Sequence, residues 1–105
     1  MKSKKQMLET DILREIGWFA YTKYNFNKEA ALTEVNLYNI NGISYSLKNN
    51  ELTIILGRPG MLIGKGGENI DKLCAYLTKC LKLSKPLIIK LKESSVKYWL
   101  TSFIL

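Results

Sequence analysis

The sequence contains no histidine and only two cysteines, Cys74 and Cys80. Without these residues the usual zinc constellations and every nucleophile relay built on an imidazole are excluded. The two cysteines stand six residues apart in one helical stretch, roughly 120° apart around its axis at ~100° per residue, so no disulfide between them is expected. Arginine is scarce too: of sixteen basic residues only Arg14 and Arg58 carry a guanidinium. Lysine is a point charge suited to phosphate, so reading of base edges by arginine forks is not expected to dominate. Long apolar runs are also missing. Nothing approaches the ~20 residues of a membrane span, and Glu9, Asp11, Arg14 and Glu15 interrupt the amino-terminal segment before it reaches signal-peptide length. The expectations are a cytoplasmic setting, no membrane partner, no metal and no cofactor.

What the chain has is positive charge. Sixteen Lys and Arg oppose nine Asp and Glu, giving a formal charge of +7 and a pI near 9.5. Such an excess directs a protein toward polyanions or acidic surfaces, although it also serves solubility. At 105 residues the chain has room for one hydrophobic core and one domain, 1–105. It holds no internal repeat or low-complexity linker.

Periodicity sets the element order. Leu8, Ile12, Ile16, Phe19 and Lys23 recur at spacings of three and four and predict an amphipathic helix over about 6–24. Residues 27–39 stay open, since Asn27 to Leu32 suits a helix whereas Val35, Leu37 and Tyr38 favour a strand. Ile43, Tyr45 and Leu47 alternate with polar neighbours, and a run from Leu52 to Leu56 follows the Asn49-Asn50 turn signal, which predicts two adjacent strands. Gly57-Arg58-Pro59-Gly60 ends the second strand, leaving Met61-Leu62-Ile63 about one helical turn. Ile70, Leu73, Cys74, Leu77 and Leu81 mark one face of a helix over about 67–83. After Pro86 a last strand is expected to bury Leu87, Ile89 and Leu91 and expose Ile88, Lys90 and Lys92. The aromatics Trp18, Tyr21, Tyr24 and Phe26 are read as core or edge packing, with no role in a site. Val96, Trp99, Leu100 and Phe103 stand at helical spacing and predict a further helix in a carboxy-terminal extension, 93–105. Helices and a single sheet segregated in this way make an α+β fold.

The informative stretch is Gly57 to Leu73, where glycines surround a single lysine. A nucleotide-binding Walker loop needs Gly-Lys followed by Ser or Thr to hold magnesium, but Gly66 follows Lys65 and position 59 is proline. A dinucleotide fingerprint starting at Gly64 needs glycine or alanine where Asn69 stands, and should follow a strand directly. Ile63-Gly64-Lys65-Gly66-Gly67 does fit the Ile-Gly-x-x-Gly turn between two helices that clamps about four nucleotides by their backbone in KH domains. With no nucleophile-base pair or metal cluster in view, an enzyme is the weakest class.

Over residues 51–92 the sequence resembles the type II KH domains of bacterial small-subunit ribosomal proteins and transcription elongation factors. Their loop region also reads Arg-Pro-Gly, two apolar residues, Ile-Gly and Lys before a helix. The resemblance implies an α-β-β-α-α-β arrangement, a three-stranded sheet with helices on one face, and non-enzymatic binding of short single-stranded RNA. The implied RNA-binding residues are Gly64, Lys65, Gly66 and Gly67, with Arg58, Met61, Leu62, Lys72 and Lys90 along a groove from the loop toward the last strand. For Met61 and Leu62 core packing is an equal alternative, and for Lys72 and Lys90 an ordinary solvated lysine. Single-stranded DNA offers the same phosphates and remains an alternative ligand. A third reading is a protein-interaction module whose tail, through Trp99, Leu100 and Phe103, engages a partner chain or a second copy instead of covering its own sheet.

Overall fold

The computed structural model of the protein describes residues 4–94, with side chains from residue 9 onward. Helix α1 runs Lys4–Lys23, α2 Lys28–Tyr38, strand β1 Ile40–Ser46, β2 Glu51–Leu56, α3 Pro59–Ile63, α4 Glu68–Cys80 and β3 Ile88–Glu93. The expected order of helix, strand, strand, short helix, long helix, strand is present, with α2 added after the first helix. The carboxy-terminal helix expected beyond residue 94, and with it Trp99, Leu100 and Phe103, lies outside the described residues.

The open segment 27–39 is helical for local and tertiary reasons together. Asn27 caps the amino end, its side chain accepting the Ala30 N–H at 3.0 Å, and Asn39 closes the other end in a left-handed conformation. Ala31, Glu34 and Tyr38, spaced by three and four, are buried. That burial outweighs the strand propensity of Val35 and Leu37.

The sheet order is β1-β2-β3, with β1 antiparallel and β3 parallel to β2. Leu52, Ile54 and Leu56 of β2 are fully buried, and their partners Tyr45 and Ile43 on β1 and Ile89 and Leu91 on β3 share that face. Leu87 is buried and Ile88 exposed, as the alternation after Pro86 predicts. The first strand differs from its sequence reading at both ends. It begins at Ile40, with a register shift between Ile40 and Gly42, and ends at Ser46, so Leu47 lies in the turn, exposed, rather than on the core face.

One core joins all these elements. Ile12, Ile16 and Phe19 of α1, Tyr38 of α2, Leu62 of α3, and Leu73 and Leu77 of α4 pack on the buried face of the sheet. Ile70, Cys74 and Leu81 border it, so the predicted apolar face of α4 is the one that is buried. The helices thus cover one side of the sheet and hold the α3–α4 connection at the surface.

Candidate functional site

The two helices do not fuse because the glycines between them forbid it. Helix α3 stops at Gly64, whose φ of 77° and ψ of 175° place it in a region essentially reserved for glycine. Space is restricted there as well: a Cβ on Gly64 would stand 2.6 Å from the Asn69 Cβ. Lys65–Gly67 form a single tight turn, with Gly66 at φ 64° and Gly67 at φ 80° before α4 begins. Nothing lies within 4 Å of a Cβ at either of these two positions. They are glycine for the backbone's sake, and the side they present is bare. Lys65 and Gly66 are exposed.

A polar network holds this bend from inside. Asn69, buried on the first turn of α4, donates its Nδ2 to the Leu62 carbonyl at 2.8 Å, and its Oδ1 accepts from Lys23 Nζ at 3.2 Å. Lys23 also donates to both oxygens of Glu34 at 3.0 Å. Glu34 is buried and accepts the hydroxyls of Tyr24 and Tyr38 as well. Burial by itself would push the Glu34 carboxyl up, but the hydrogen bonds from Tyr24, Tyr38 and Lys23 outweigh it and hold the group below the usual carboxylate range. Both phenols are raised in turn: that of Tyr24 by its bond to the carboxylate, and that of Tyr38 by burial first and the same carboxylate second. Every buried side-chain nitrogen and oxygen among the described residues has a partner.

The expected site residues do not all stand together. Gly64, Lys65, Gly66 and Gly67 form the bend itself, and Arg58 is exposed where the chain enters α3. Met61 points outward at 38% exposure, whereas its neighbour Leu62 is completely buried. Of the two readings for Leu62, core packing is the one realised, and its side chain has no face toward a ligand. Lys72 stands one turn into α4, exposed, and pairs with Glu68 at 2.9 Å. Hydrogen bonding to Lys72 keeps the Glu68 carboxyl low. Lys90 stands apart from the bend. It alternates with Ile89 and Leu91, which places it on the sheet face turned away from the helices, where it pairs with Glu51 at 3.3 Å.

Sequence reasoning missed residues on α1. Phe19, Thr22 and Lys23 face Gly64, Lys65 and Lys72 across a cavity of about 460 Å³. The missed signal was Lys23 itself, a lysine on the apolar stripe of an amphipathic helix. Of the core and edge alternatives for the aromatics, Trp18 and Phe26 take the edge: they are 49% and 61% exposed and meet Tyr21 edge-on. Among the described residues no group of three or more His, Cys, Asp or Glu side chains could hold a metal ion. None of the described helices is long and apolar enough to cross a membrane.

No curated protein matches the chain. A family model described as the KH domain matches residues 22–100, which take in the three-stranded sheet and the helix–bend–helix unit. A glycine bend held open between two helices on one face of a mixed three-stranded sheet, together with that match, makes this chain a member of the KH domain family of nucleic-acid-binding modules.

Proposed function

We propose that the protein binds short single-stranded RNA, without catalysing a reaction, by laying the sugar-phosphate strand against the bend Gly64-Lys65-Gly66-Gly67. One observation carries this reading. The three glycines of the bend all have positive φ, two of them offer no side chain where the strand would lie, and the one side chain among them is an exposed lysine. Close approach of the main chain and one mobile positive charge are what an anionic backbone needs. Met61 shelters a base, Arg58 and Lys72 supply further charge beside the strand, and the excess of +7 raises the local concentration of ligand. No aromatic stands in the bend, so affinity for one module is modest. The fold is read as type II, the parallel β2–β3 pair and the leading helices being consistent with that arrangement. A cytoplasmic setting completes the reading, supported by two free cysteines of which Cys80 is exposed.

Gly66→Asp tests it. Aspartate is among the residues that adopt a left-handed φ such as 64°, and nothing crowds its side chain, so the variant should carry only about 1 kcal/mol of backbone strain while an acid enters the bend, with a thermal melt to check its fold. Titrating wild type and variant with labelled single-stranded RNA, single-stranded DNA and duplex over a range of salt should give preference for unpaired RNA. It should weaken with salt and fall at least about tenfold in the variant. Equal affinity of the two proteins for RNA at low salt sinks the assignment.

A further inference from the structure

The cavity beside the bend is larger than the backbone clamp itself requires. Its floor is Phe19 and Asn69, its far wall is Thr22 and Lys23 on α1, and Lys65 and Lys72 stand on the loop side. Its volume, about 460 Å³, is enough for a nucleotide, and polar and apolar atoms share its lining.

The charges around it are unequal in freedom. Lys23 is spent on Glu34 and Asn69, which use its three N–H donors. Glu68 also borders the cavity, but it pairs with Lys72 at 2.9 Å in an exposed i,i+4 contact that holds either side chain only weakly. Among the described residues Lys65 forms no ion pair, and Lys72 is two-thirds exposed. Two lysine side chains can therefore swing to an incoming oxyanion without disturbing the part-buried Lys23–Glu34 pair.

We infer that this cavity is a nucleotide subsite on the α1 side of the bend: the bound strand continues past the roughly four nucleotides of the clamp, placing one more phosphate between Lys65 and Lys72 and its sugar or base against Thr22 and Phe19. The inference rests on the RNA-binding reading and extends it to α1, a helix outside the glycine motif whose Lys23 supports the bend from within. It predicts that affinity keeps rising when an oligonucleotide is lengthened beyond the clamp.

Thr22→Met is the discriminating variant. Thr22 is exposed on a helix, so methionine is accommodated without strain while its longer neutral side chain fills the cavity. Binding of a four-nucleotide and an eight-nucleotide uridine RNA is measured across a salt series for wild type, Thr22→Met and Gly66→Asp, with thermal melts confirming that each is folded. The expected result is a several-fold loss by Thr22→Met for the octamer alone, with its log–log salt slope falling by about 0.7, the contribution of one single-strand phosphate. An unchanged octamer affinity and slope, or an equal loss on both lengths, overturns the subsite. If wild type binds neither RNA, or Gly66→Asp binds as wild type does, the RNA reading itself has failed, and the two failures are told apart.

Discussion

Asn69 reaches back across the glycine bend and hydrogen-bonds the Leu62 carbonyl at 2.8 Å, so the second helix caps the end of the first. A five-residue helix has little stability of its own, and this cap, with the tight packing of Gly64 against the same asparagine, fixes how it meets α4. The bend is therefore shaped from its buried side and left bare on the other.

The three glycines should respond unequally to alanine. Gly64→Ala combines a glycine-only backbone conformation with a Cβ 2.6 Å from that of Asn69, and should cost about 3 kcal/mol. Gly66→Ala meets only the left-handed backbone penalty and should cost about 1 kcal/mol. Urea unfolding of both variants measures the difference, and equal costs would contradict the packing described at Gly64.

Glu34 gives the protein an acid-sensitive element. Its carboxyl titrates lower in the folded chain than in the unfolded one, so its contribution is complete above the ordinary glutamate range, roughly pH 4 to 5, and is lost as pH falls through the lowered folded value. Glu34→Gln leaves Lys23 without its counter-charge, and because Lys23 is still reached by water it should destabilise by about 1–2 kcal/mol at neutral pH. It should also flatten the decline of stability between about pH 5 and 3. Denaturant midpoints over that interval check both.

Met61 and Leu62 should show opposite phenotypes although they are adjacent. Leu62→Ala removes a completely buried side chain and should cost about 3 kcal/mol of stability. Met61→Ala should change stability by less than about 0.5 kcal/mol while weakening RNA binding several-fold. Paired melts and titrations separate the two, and a Met61→Ala variant that binds like wild type removes Met61 from the interface.

Much of this was legible because it repeats. The stripe Ile12, Ile16, Phe19, the alternation Leu52, Ile54, Leu56 and the face Leu73, Leu77 each run long enough to reveal their period. Helix α3 is too short for that, which is why the sequence could not choose between Met61 and Leu62. Helix α2 was hidden by the strand preference of Val35 and Leu37, and was decided by Asn27, Asn39 and the burial of Glu34. The bend was read from its glycines, but its support was not. Lys23, Glu34 and Asn69 meet across separations of 11 and 46 residues, and no local pattern announces such a contact.

Strand β3 lies parallel to β2, and so the polypeptide has to travel back along the sheet before its last strand can start. The α3–bend–α4 unit is that return journey. A nascent chain halted before Ile88 would leave one rim of β2 with unsatisfied amides and carbonyls, open to pairing with a neighbouring molecule. The strand that seals that rim follows directly on α3, the bend and α4 in the chain, so the segment carrying the glycine bend is also the one that delivers the protecting edge.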